Sequence, residues 1–281
     1  MTSPTITGVR AWEVPVPHAR AWVTGAGSGI GRAAALSLSA LGVVVYASGR
    51  RTHLLESLAE EASIFDGTII SVECDITDPT SVGLAFDRVG DGGPVTALVH
   101  AAAQMQLMEA RSMSPAQFAE VVGSTLLGTF NVVHRWATPL LDGGIGGSAV
   151  ALTSCFASKG TPGISHSSSG KAGVEALVKS LAREWGPHGI TLNAVGPGSF
   201  PVEKSIKLWQ RPDMEARMRD EIALGRYGEL AEIVGPIMFL LSSAGAYTTG
   251  QSLVVDGGLS LSHWPVPRDD IRAGFNNQYL G

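Results

Sequence analysis

The run Thr24-Gly25-Ala26-Gly27-Ser28-Gly29-Ile30-Gly31 follows Ala21-Trp22-Val23 and leads into an Ala/Leu-rich stretch. A diphosphate is held best by backbone N–H groups and the positive end of a helix dipole. Side chains would block that approach, so glycines belong there. The run sits where a first strand turns into a first helix, the context in which a glycine cluster carries meaning. The competing reading is a tight turn with no ligand. Gly25, Gly27, Ser28, Gly29, Ile30 and Gly31 are therefore candidate contacts to the pyrophosphate of a dinucleotide.

A second chemical signal lies at the end of the next strand, Ala47-Ser48-Gly49-Arg50-Arg51. A carboxylate there would bond both ribose hydroxyls of NAD and repel a 2′-phosphate. This chain has none. Ser48 is expected to donate to a phosphate, and Arg50 and Arg51 to pair with it by charge-assisted bonds. Without an anion nearby, two arginines at the positive end of a helix are unhelpful. The expected cofactor is NADP(H).

These residues need a frame. Apolar, β-branched runs at Ala21–Thr24, Val43–Ala47, Thr68–Glu73, Ala97–Ala101, Ala149–Thr153, Thr191–Val195 and Ser252–Val255 read as buried strands. Helical patterns fall between them, near Gly31–Leu41, Thr52–Ser63, Pro79–Val89, Pro115–Leu141, Ser169–Trp185, Pro212–Leu224 and Glu229–Leu241. Strand–helix alternation predicts an α/β fold: a Rossmann-type, doubly wound parallel sheet of about seven strands in three layers. A chain of 281 residues, 44% hydrophobic, is enough for one such domain. We expect an N-terminal extension over 1–19, the domain over 20–262 and a tail over 263–281.

With 20 basic and 25 acidic residues and no basic cluster, nucleic acid and anionic membranes are not expected partners. Cys74 and Cys155 read as small core residues, not as a disulfide or a metal set. Met1–Arg20 carries Pro4, Pro15 and Pro17 and lacks a signal peptide's apolar run, and no stretch reaches the roughly 20 apolar residues of a membrane span. A soluble, cytoplasmic protein acting on a small molecule is expected.

The spacing Thr-Gly-x-x-x-Gly-x-Gly resembles the short-chain dehydrogenase/reductase family, and the resemblance extends over about residues 20–260. It places Gly25, Gly29 and Gly31 at the family's three key glycines. It makes Asp75-Ile76 an adenine-binding pair and aligns His100-Ala101-Ala102-Ala103 with the family's Asn-Asn-Ala-Gly, so that Ala101 and Ala102 border the cofactor. Asn193-Ala194-Val195-Gly196-Pro197-Gly198 resembles the loop near the nicotinamide, implying contacts from Pro197, Gly198 and Phe200, and Leu253–Gly258 resembles the closing strand. The helix Pro115–Leu141 resembles the one that builds the family's interfaces, implying a homodimer or homotetramer.

The same resemblance assigns the catalytic positions. The family lysine matches Lys171, which would bond the nicotinamide ribose. The position four residues earlier, commonly Tyr, is Ser167. The family serine is Ser154, the family Asn falls on Thr125, and the threonine that often anchors the carboxamide falls on Val202. A hydride delivered to a ketone leaves an alkoxide that needs an acid. A serine hydroxyl is far weaker as an acid than a tyrosine of pKa about 10 lowered by a nearby Lys⁺. An enoyl thioester, needing an oxyanion hole first, or an iminium, needing no proton at that step, eases the demand.

The run from Ser167-x-x-x-Lys171 to Glu184-Trp185-Gly186 resembles the 2,4-dienoyl-CoA reductases, which also carry Ser in place of Tyr and use NADPH. Phe156 and Leu127, however, stand where that subfamily has its donating Tyr and its Asn. The expected function is an NADP(H)-dependent oxidoreductase with a non-standard proton relay, acting on an activated C=C, C=N or C=O bond of an apolar or aromatic substrate. The alternatives are a non-redox cyclase or isomerase that keeps the cofactor pocket, and a non-catalytic NADP(H)-binding protein. His166 reads as a surface or interface residue, or else as a proton source beside Ser167. His100 reads as structural, and Lys159 lies in a loop of the site. A substrate-covering segment at about 200–225 would present Trp209, Met214, Met218, Arg211, Arg217 and Arg219.

Overall fold

The computed structural model describes residues 19–90, 92–104, 107–202 and 212–261, apart from the side chains of 212–214 and 217. Seven strands form one parallel sheet in the order β3-β2-β1-β4-β5-β6-β7. They are β1 (Arg20–Thr24), β2 (Val44–Gly49), β3 (Thr68–Glu73), β4 (Ala97–His100), β5 (Gly147–Leu152), β6 (Ile190–Pro197) and β7 (Ser252–Val255). The helices are α1 (Gly29–Ala40), α2 (Thr52–Glu61), α3 (Pro79–Gly90), α4 (Pro115–Val122), α5 (Gly128–Asp142), α6 (Ser165–Trp185), α7 (Pro212–Glu221) and α8 (Leu230–Leu241). The order reverses between β1 and β4, so a crevice opens at the carboxyl ends of the central strands, where such sheets bind ligands.

The inner strands β1, β2, β4, β5 and β6 are buried on both faces, and that is why their sequences run apolar without alternation, whereas the edge strands β3 and β7 leave residues exposed. Alternate residues feed two cores. Trp22, Leu98, Ala149, Ala151 and Leu192 join one cluster with Val132, Trp136 and Val174 of α5 and α6. Val23, Val45, Val99, Val150 and Val195 join the other with Ala35 and Leu38 of α1 and Ile233 and Ile237 of α8. Buried Trp136 donates its indole N–H to the Val95 carbonyl at 2.8 Å, so the largest apolar surface enters the core without an orphaned donor.

The long helical run predicted at Pro115–Leu141 is present but not uniform. Ser114 caps it through a reciprocal pair with Gln117. A π-turn at Gly123–Leu127 then interrupts the α-helical repeat before α5. Helix α6 begins at Ser165, four residues before the predicted start, and so takes in Ser167. Among the described residues no helix is long and apolar enough to cross a membrane. Trp209 and Arg211, and the side chains of Met214 and Arg217, lie outside the described residues.

Candidate cofactor and catalytic site

The crevice is a cleft of about 290 Å³ at the switch point. Its lining includes Gly25, Gly27, Ser28, Gly29, Ile30 and Gly31 from the first turn, Ser48, Arg50 and Arg51 after β2, Asp75 and Ile76 after β3, and Ala101 and Ala102 after β4. Thirteen residues expected at a cofactor thus line one cavity.

Local geometry explains the glycines. Gly25 and Gly29 have φ of +69° and +56°, a region that glycine enters without cost. A β-carbon on Gly25 would lie 2.7 Å from the Ala102 amide nitrogen, and one on Gly31 would lie 2.5 Å from the Gly25 carbonyl oxygen. The loop is packed as tightly as the chain allows, with its open side toward the cleft.

Helix α1 has Ser28 at its N-cap, but the Ser28 hydroxyl makes no capping bond. That hydroxyl instead accepts from the Arg51 guanidinium at 3.1 Å. The orphan amides of the first turn are left without a side-chain partner and face an anion site with the helix dipole behind them. Helix α2 also starts without a side-chain cap, with Arg51 at its N-cap. Arg50 lies 3.9 Å from the Asp75 carboxylate. The Thr77 amide foremost, then the Thr77 hydroxyl and Arg50, hold that carboxyl below its ordinary range despite partial burial. The guanidinium groups of Arg50 and Arg51 line the cleft beside the uncapped starts of α1 and α2, and the residues present fit a dinucleotide.

Ser48 departs from expectation. Its side chain is buried, and its hydroxyl accepts from the Trp22 indole at 2.9 Å. It holds β2 against β1 and offers no exposed donor to a phosphate.

The catalytic candidates lie at the ends of β5 and β6 and along α6. Ser154 is half-buried, just after β5, and its hydroxyl accepts from the Phe156 amide at 3.2 Å. Ser167 and Lys171 are one turn apart on α6 and both buried, a spacing that puts them on one helix face. Lys171 donates to the carbonyl of Leu152, itself a cleft residue, and burial lowers its pKa to about 8. His100 ends β4, paired through Nδ1 with the Thr24 hydroxyl at 2.8 Å. Burial foremost, then the charge of Lys171, lowers its pKa to about 3, so the ring is neutral.

Thr125 is wholly buried in the π-turn and packs against Gly170, where a β-carbon would lie 2.9 Å from its own Cβ. The preceding Ser124 lines the cleft instead. A π-turn takes an extra residue per turn and so rotates its neighbours about the helix axis, which sequence spacing alone does not reveal. The glycines at both ends of the turn, Gly123 and Gly128, are the available signal. Phe200 packs into the α1/α8 core and against Gly228, away from the described lining. Pro197 and Gly198 end β6 beside Asp256, and a β-carbon at Gly198 would lie 2.6 Å from the Asp256 Cα. Val202 closes the cleft over the glycine loop. Gln104 and Thr77 also line it and were not singled out from sequence. His166, expected at a surface, is buried, and neither ring nitrogen has a partner among the described residues. Lys159 is exposed in its loop, and Met218 packs partly buried beside Cys155 and Ile222.

Fold and cleft together define a dinucleotide-binding protein of the Rossmann type. Residues 25–260 match the family model described as enoyl-(acyl carrier protein) reductase. The chain is 37% identical to an L-rhamnose 1-dehydrogenase (NAD(P)(+)) of Azotobacter vinelandii, covering 84% of this chain and 94% of the relative. It is 32% identical to a probable 2,4-dienoyl-CoA reductase of Bacillus subtilis, covering 86% and 97%. A gluconate 5-dehydrogenase from Burkholderia cenocepacia, solved in complex with NADP and tartrate, superposes with a TM-score of 0.80 at 26% identity, covering 87% and 96%. The chain belongs to the short-chain dehydrogenase/reductase family and is an oxidoreductase of that family.

Proposed function

We propose that this enzyme is an NADP(H)-dependent reductase in which Ser167 stands in place of the usual tyrosine. One observation carries the cofactor choice: Arg51 reaches across to Ser28 while Arg50 stands beside Asp75, and the end of β2 has no carboxylate. The 2′-phosphate of NADP would take the guanidinium groups as its partners, and the pyrophosphate would take the amides of α1. NADP in the Burkholderia neighbour's complex is in keeping with this choice.

NADPH bound in the cleft would supply a hydride. Lys171 would hold the ribose hydroxyls, Ser154 and Ser167 would hydrogen-bond the polarised group of the substrate, and Val202 would help close the cleft against water. With serine in place of tyrosine, the site stabilises negative charge better than it delivers a proton. That favours an activated C=C or C=N bond over a simple ketone, in line with the reductase named among the relatives. Exposed Phe118, Leu127 and Phe130 on the α4–α5 run support assembly through that run into a homodimer or homotetramer.

The test follows NADPH absorbance with enoyl thioesters, cyclic imines and ketones. Oxidation with the first or second, lowered well over tenfold in kcat/KM by Ser167→Ala, is the expected result. Product formed at constant NADPH would replace this reading with isomerase or cyclase chemistry.

A further inference from the structure

Most polar side chains that line the cleft already have a partner within the protein. Arg51 donates to Ser28, and Arg50 and Thr77 attend the Asp75 carboxylate. Ser48 accepts from Trp22, and Ser124 donates to the Val121 carbonyl at 3.1 Å. Gln104 differs. It is half-buried in the same lining, and its side-chain amide makes no hydrogen bond among the described residues. A glutamine amide carries two N–H donors and a carbonyl acceptor, so it suits a neutral partner that both donates and accepts.

Two contacts bracket its position. Before it, a β-carbon on Gly25 would lie 2.7 Å from the Ala102 amide nitrogen, so the chain leaving β4 runs against the glycine loop. Beyond it, the Met108 amide donates to the Gly163 carbonyl at 2.8 Å, two residues before α6 begins. The two residues from Ala102 to Gln104 span at most about 7 Å. Gln104 therefore stays near the glycine loop while its chain heads for the start of α6, which carries Ser167 and Lys171. Arg50 and Asp75 follow β2 and β3, which lie on the opposite side of β1 from β4. A dinucleotide with its diphosphate on the glycine loop and its adenosine toward the arginines lays its nicotinamide nucleoside along the Gln104 side. The cleft lining contributed after β4 and β5 is otherwise Ala101, Ala102, Ala103 and Leu152, whose side chains form no hydrogen bonds.

We propose that Gln104 binds the nicotinamide nucleoside, its amide both donating to and accepting from that half of the cofactor. The carboxamide and the ribose hydroxyls share the required chemistry, since each is neutral and offers a donor and an acceptor. The inference rests on the reading of the cleft as a dinucleotide site, and not on the choice between NADP(H) and NAD(H). Gln104 contributes binding and orientation, and no proton passes through it. Its loss weakens the hold on the reactive half of the cofactor and leaves the adenosine half untouched.

The test is isothermal calorimetry on the full chain, unsubstituted and as Gln104→Met, which keeps the shape of the side chain without its polar atoms. Gln104→Ala serves as a second variant should the first fail to fold. NADP⁺ should bind about fivefold or more weakly to either variant, the worth of one neutral hydrogen bond. Binding of 2′,5′-ADP, which lacks the nicotinamide nucleoside, should change less than about twofold. Equal losses for both ligands, or none for either in a folded variant, would overturn the proposal. So would unchanged NADP⁺ affinity with a raised KM for the substrate, which would assign Gln104 to the substrate instead. The 3-acetylpyridine analogue of NADP⁺ separates the two groups of the nucleoside. Its methyl ketone cannot donate, so the difference between variant and unsubstituted protein shrinks if the carboxamide is the partner and persists if the ribose is. NAD⁺ and ADP, run in parallel, keep the cofactor choice separate. A preference for NAD⁺ with the Gln104 effect intact would reject the 2′-phosphate reading and leave this one standing.

Discussion

At the residue scale the chemistry concentrates in a few side chains with committed partners. Arg51 is the sharpest case, because its guanidinium takes the hydroxyl that would otherwise cap α1. Arg51→Ala should weaken NADP⁺ binding about 10- to 100-fold, the worth of one or two charge-assisted bonds, and leave NAD⁺ binding nearly unchanged. Parallel losses for both nucleotides in calorimetry would assign Arg51 to the pyrophosphate instead. Lys171 carries a pH signature. Its pKa falls from the usual 10.5 to about 8 on folding, so between those values the unfolded chain holds a proton that the folded protein does not. Stability attributable to this residue therefore rises with pH across that window. The melting-temperature advantage of Lys171→Met at pH 7.5 should shrink by pH 10; a gap that widens would reverse the sign assigned to burial. The place of the arginines at the cleft was legible from sequence because they directly follow the end of a strand. Ser48 was not, because nothing in the sequence shows that Trp22 takes its hydroxyl.

At the scale of elements, the first βα unit and the α4–α5 run show what patterns reveal and what they hide. The glycine loop was readable because a strand, a turn and a helix agreed about it. Gly25→Ala should cost about 1–3 kcal/mol by chemical denaturation, since the residue must keep φ at +69° and meet the Ala102 backbone. It should also remove nucleotide binding; an alanine variant with native stability and affinity would show that the turn is looser than described. The long helix was visible as a helix, but its π-turn was not, because one inserted residue barely disturbs apolar periodicity. That turn brings Ser124 to the cleft and buries Thr125 against Gly170. Gly170→Ala tests the packing: about 1–3 kcal/mol of lost stability is expected from the 2.9 Å approach to the Thr125 β-carbon, and relief by adding Thr125→Gly, which removes that atom, in excess of the cost of Thr125→Gly alone would identify the clash.

For the whole molecule, alternating apolar runs and amphipathic stretches were enough to predict seven parallel strands in three layers, and strand ends differed by at most two residues, where pairing, not composition, decides the boundary. The strand order and the resulting crevice come from crossover topology, which no local window contains. Exposed Phe118, Leu127 and Phe130 leave an apolar face on the α4–α5 run. Light scattering at micromolar concentration should give the mass of a dimer or tetramer, and a monomer would reject assembly through that run. The substrate end of the site is less legible than the cofactor end for a physical reason: backbone amides and guanidinium groups fit one kind of ligand, whereas hydroxyls and apolar walls fit many.

The central claim is that the cleft selects a dinucleotide bearing a phosphate on its adenosine ribose. Isothermal calorimetry of the unsubstituted protein with NADP⁺ and NAD⁺ under identical salt tests it most directly. NADP⁺ should bind at least about tenfold tighter, the equivalent of one charge-assisted contact. Equal affinities, a preference for NAD⁺, or no heat with either nucleotide would contradict the account.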